Sequence, residues 1–63
     1  MTDVQFRNEG SIWSATPLTD AAREWIAEHI EDATYFGPSL VIEHRYVPDI
    51  VQGMANDGLE VSQ

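Results

Sequence analysis

Four carboxylates, Asp20, Glu24, Glu28 and Asp32, recur at four-residue spacing through the stretch "DAAREWIAEHIED". Paired carboxylates serve acid–base catalysis when a desolvated pocket shifts their pKa values. A chain of 63 residues has little room for such a pocket, so Glu24 and Glu28 read as solvated groups. On a helix the spacing stacks them in one self-repelling row, each like-charged i,i+4 pair costing about 0.2–0.5 kcal/mol. Arg23 is the one cation in the stretch, and the chain has no lysine. Such a row suits clustered arginines and lysines on a partner. It also imitates a phosphate strand coarsely, advancing about 6 Å per carboxylate against about 3.4 Å per phosphate. The plainer reading is a solvated helix face in an acidic protein.

Other chemistry finds less support. "HIED" offers His29, Glu31 and Asp32, and "EHR" offers Glu43 and His44, but no His-x-x-x-His or Cys-x-x-Cys spacing joins them into a metal set. Ser39 follows a Gly-Pro turn without the G-x-S-x-G frame of a nucleophile elbow. With no cysteine and no lysine, thiolate and Schiff-base chemistry are out. No glycine-rich phosphate loop occurs. Arg45 and Tyr46 beside Glu43 read as a surface ion pair and a half-buried tyrosine. The expectation is a non-enzyme with no catalytic residue, no cofactor and no metal.

Eleven acidic residues against three arginines give a net charge of −8. That argues against direct nucleic-acid binding, which needs cations to displace phosphate counterions, and against anionic membrane surfaces. It favours a basic protein partner, or simply solubility. The opening "MTDVQFRNEG" has no basic, apolar-cored leader, and the run "LVI" is far too short to span a bilayer. A cytoplasmic setting is therefore expected, consistent with the absence of cysteine. With 43% apolar residues and two tryptophans, folding is favoured over disorder. So short a chain has a thin stability margin, which an oligomer or partner would widen.

The elements that must position these groups follow from the pattern. "VQFRNEGSIWSA" reads as a hairpin around Asn8-Glu9-Gly10 or as a frayed arm, and Ser11–Thr16 as a strand. Thr19 caps a helix running toward Asp32, with Leu18, Ala22, Ile26 and Ile30 as its apolar stripe and Trp25 and His29 alongside. Gly37-Pro38 joins strands at Ala33–Phe36 and Ser39–Arg45. Pro48 opens a second helix, which Gly53 weakens. Gly58 ends it in a left-handed cap that folds Leu59 back on Met54, and Leu59–Val61 makes a last strand.

The expected class is α+β: a miniature βαββαβ, ferredoxin-like split βαβ, with two helices on one face of a small antiparallel sheet. Residues 1–10 form an N-terminal strand or flexible arm and residues 11–63 a single domain. The stretches "PLTDAAREWIAEHI" and "LVIEHRYVPDIVQGMANDGLEV" resemble a type of short uncharacterised protein found in proteobacteria and their phages. The likeness lies in the strand-"EHRYV"-helix junction and the "DGL" stop. It implies a mobile-element or accessory protein and attaches no activity to any residue. The functional expectation is an interaction module docking Asp20, Glu24, Glu28, Glu31 and Asp32 on a basic, nucleic-acid-binding type of protein surface. An inhibitor of a host defence complex, such as an anti-CRISPR protein, is its specific form. The alternative is a homodimeric regulatory or ligand-sensing domain acting through a sheet face that carries Trp13, Val41 and Tyr46.

Overall fold

Apolar alternation begins closer to the start of the chain than the strand at Ser11–Thr16. Val4 and Phe6 alternate with Gln5 and Arg7, and both are fully buried. In a computed structural model describing Met1–Gln63, these residues form strand β1 (Val4–Asn8). A turn with Gly10 at φ +101° leads into β2 (Ile12–Pro17). There follow α1 (Asp20–His29), β3 (Thr34–Phe36), β4 (Ser39–Glu43), a 3-10 turn (His44–Tyr46), α2 (Val47–Asn56) and β5 (Val61–Ser62).

The chain is thus α+β, with two helices and one five-stranded sheet in the order β3-β4-β2-β1-β5. The expected sheet differs on two points. Neighbours β3–β4, β4–β2 and β2–β1 are antiparallel, but β1 and β5 are parallel, so the sheet is mixed. β1 also lies between β2 and β5, where a four-stranded ferredoxin-like order would make those two neighbours. The physical reason is burial: with Val4 and Phe6 both inward, this segment is an interior strand flanked on both sides.

Register puts Val4 opposite Pro17, Phe6 opposite Ala15, and Trp13 opposite Ile42. These residues share one face with Leu40. Ala22 and Ile26 of α1 and Val47 and Met54 of α2 join them in a single core, so both helices lie on that face. Each large apolar side chain so buried stabilises the fold by roughly 1.5–3 kcal/mol.

Local signals account for the helix ends. Thr19 Oγ1 accepts the Ala22 N–H at 3.2 Å, the N-cap contact that satisfies an otherwise unpaired amide. α1 stops three residues before Asp32, because Ile30 turns extended (φ −122°, ψ 100°) while its N–H still donates to Ile26 O. Leu18 stays half-exposed outside the apolar stripe. At the end of α2, Gly58 takes φ +89°. The Leu59 N–H donates to Met54 O at 3.0 Å and the Gly58 N–H to Ala55 O at 3.1 Å, the paired bonds of a Schellman cap. That cap occupies Leu59, so the last strand starts two residues later than expected. Likewise β4 ends at Glu43 and its expected continuation becomes the 3-10 turn. Gly53 has a packing role: a Cβ there would lie 3.1 Å from Trp25 Cζ2, so glycine lets α2 approach the indole.

One polar junction ties the ends of the chain to the helix. Asp3 Oδ1 accepts the Thr19 hydroxyl at 2.7 Å and Asp3 Oδ2 accepts the Glu60 N–H at 2.9 Å. The Asp3 N–H donates to Glu60 O at 2.8 Å, and Leu18 N–H donates to Asp3 O at 2.7 Å. The Glu60 amide first, and the Thr19 hydroxyl second, hold the Asp3 carboxyl below its ordinary pKa.

Candidate functional site

Because α1 ends at Ile30, the chain must cross from the helix layer to β3 through Glu31, Asp32 and Ala33. That crossing forms one side of a groove of about 690 Å³. β4 supplies its floor, and the 3-10 turn with the first turn of α2 supplies the other side. The floor is apolar: Leu40 and Ile42 are buried at its base, with Ile30, Ala33 and Ile50 half-buried above them. Around it stand Glu31 and Asp32 from the crossing, Glu43 from the end of β4 and Asp49 from α2, with His29, Thr34, Val41 and Tyr46 completing the lining. The volume is in the range of ligand and side-chain binding clefts.

The electrostatics are one-sided. Arg45 Nε lies 3.1 Å from Glu43 Oε2, and its guanidinium carbon sits 4.9 Å from the Tyr46 ring centre. Arg23 pairs with Asp20 at 2.9 Å. Arg7 alternates with the buried Phe6 and so lies on the opposite face of the sheet, beside Gln5 and Ser14. No cation is therefore left for Glu24, Glu28, Glu31, Asp32 or Asp49, none of which forms a salt bridge. His29 lines both the groove and the shallow depression beside Glu24 and Glu28. The helix carboxylates and the groove carboxylates thus adjoin at His29, and together they form an acidic band.

The band rearranges the expected ridge. Asp20, Glu24 and Glu28 do share α1, and all are exposed. Asp32 leaves the row because the helix has ended, and joins Glu31 on the groove instead. Asp20 is neutralised by Arg23. The expected sheet-face trio is split: Val41 and Tyr46 both line the groove, and Trp13 does not. Trp13 lies on the helix side, packed on the core, with its indole N–H donating to His44 Nδ1 at 3.2 Å. Val41 pairs in register with Ser14 on the far side of the sheet. Tyr46 belongs to the 3-10 turn and the groove. The uncovered sheet face instead carries Val41 with Ile12 and Phe36, the last 83% exposed, around a second cavity of about 390 Å³.

The histidines also part company. His29 Nε2 lies 3.4 Å from Asp57 Oδ2, and its ring, tilted by 54°, has its centre 4.3 Å from that of Trp25, whose N–H donates to the same Asp57 oxygen at 2.6 Å. His44 contacts Trp13 at the other side of α2. Among the groove residues, Ile30, Asp49 and Ile50 carried no site signal in the sequence, whereas Glu43 already stood beside Arg45 and Tyr46 as one half of an ion pair. Ile30 was visible as a stripe residue. Its change of role follows from the helix stop, which no glycine or proline announces.

No protein-family model matches the chain, and neither a curated protein nor a solved structure matches it.

Proposed function

We propose that this protein is a non-enzymatic interaction module, acting in the cytoplasm, that docks its acidic band on a basic protein surface. The observation that carries the reading is the set Glu24, Glu28, Glu31 and Asp32, exposed and without a cation of their own. A fold of so few residues keeps self-repelling charge at a cost in stability, and a basic partner relieves it. The natural target is a groove that otherwise holds nucleic acid, and an inhibitor of a host defence complex, of the anti-CRISPR kind, is the form we favour. We further read the sheet as a ferredoxin-like split βαβ whose order is interrupted by the inserted β1.

Titration with an arginine-rich peptide by calorimetry tests this. Affinity falls steeply as salt rises, because screening shortens the reach of surface charge. The double variant Glu24→Gln, Glu28→Gln weakens binding several-fold. Affinity indifferent to both salt and the double substitution refutes the reading.

A second reading rests on a separate observation. The open sheet face carries exposed Ile12 and Phe36 with half-buried Val41 between them, away from the acidic helix, so two copies would meet there as a homodimeric regulatory or ligand-sensing domain. A tight dimer in sedimentation at micromolar concentration, lost on Phe36→Ser and indifferent to Glu24→Gln, favours that alternative.

A further inference from the structure

We infer that the groove between the α1–β3 crossing and α2 binds an amphipathic basic segment of a partner protein. One aliphatic side chain sits on the floor, and arginines or lysines on either side meet the rim. The inference rests on the basic-partner reading above and narrows it to a class of sequence.

Two features of the groove point to this occupant together. The accessible floor, half-buried Ile30, Ala33 and Ile50 over the buried Leu40 and Ile42, is apolar, so it offers an ionic ligand no partner and rewards burial of a hydrocarbon side chain. The rim holds Glu31 and Asp32 on the crossing and Asp49 on α2, with Glu43 at the end of β4 already paired to Arg45, so unpaired carboxylates approach the floor from two elements. A side chain seated on the floor therefore carries its chain neighbours toward negative charge. Phosphate, nucleic acid and anionic lipid are repelled at the same rim. A second copy is a poor occupant as well, since Arg23 and Arg45 are held in ion pairs and Arg7 lies on the open sheet face.

The test uses the full chain, isotope-labelled for amide NMR, and two probe peptides, Arg-Arg-Leu-Arg-Arg and Arg-Arg-Ser-Arg-Arg. The expected result is that the leucine peptide binds at least about tenfold tighter, as burying one aliphatic side chain requires, with shifts at Ile30, Ala33, Ile42 and Ile50. Ala33→Leu, which fills the floor, abolishes that preference. Asp49→Asn, an exposed change that spares the core, weakens the leucine peptide. Glu24→Gln with Glu28→Gln leaves the tenfold preference in place. Equal binding of the two peptides, with shifts confined to α1, overturns the groove assignment and leaves the basic-partner reading standing. No binding of either peptide at low salt overturns both. A concentration-dependent dimer that shifts the groove amides without peptide also overturns it.

Discussion

Acidic side chains do opposite work at two places in this molecule. Asp3 has a lowered pKa and accepts from the Thr19 hydroxyl and the Glu60 amide, joining β1, the start of α1 and the approach to β5. Around the groove, Glu31, Asp32 and Asp49 meet no donor or cation of their own chain. The first carboxylate is consumed by the fold. The others are left over from it. The contrast teaches that acidic composition alone says little about purpose; what each carboxylate faces decides.

Substitutions around the Asp3 junction and the helix contact should differ widely in their cost to the fold. Phe6→Ala empties the core on β1, the strand that Asp3 precedes, where Phe6 is 2% exposed. It should cost about 3–5 kcal/mol, read by urea denaturation; little change would mean β1 is a dispensable arm. Asp3→Asn comes next. The folded pKa of Asp3 is lowered, so its stabilising contribution is complete above the ordinary carboxylate value and is lost as pH falls through the lowered folded value. The wild-type Tm should drop on acidification below about pH 4, and Asp3→Asn should start lower near neutrality and lose that component of the drop. An unaltered acid profile would show that the junction is ornamental.

Gly53→Ala gives a smaller effect whose sign is informative. Helix propensity favours alanine by about 1 kcal/mol, but the new Cβ meets Trp25 Cζ2, and the Asp57 hydrogen bond restrains that indole. The substitution should lower Tm in the wild type and raise it when Trp25 is first changed to phenylalanine. A gain in both backgrounds would mean the indole yields freely.

The features legible in the sequence were local ones. Thr19 as a cap and the Gly58–Leu59 fold-back onto Met54 each need only neighbours within one turn, and both are present as expected. So are the two helices and the α+β class. What the sequence hid was set at long range. Asp3 finds its partners sixteen and fifty-seven residues away, with no spacing rule to announce them. The placement of β1 between β2 and β5 depends on which edge the last strand joins. In "SIWSAT" both Ile12 and Trp13 are apolar, so alternation alone did not say which faces the core, and Trp13 took the buried side. The acidic residues were legible as a cluster. Their division between helix and groove was not, because the stop at Ile30 carries no breaker residue.

The most direct test is the melting temperature of the fourfold variant Glu24→Gln, Glu28→Gln, Glu31→Gln, Asp32→Asn, measured with no partner present and at low salt. If these carboxylates serve a partner and not the fold, the variant melts at or above the wild-type temperature, relieved of its own repulsion. A clear fall in Tm would mean that the fold itself depends on them, and the separation between structural and surplus acids would be lost.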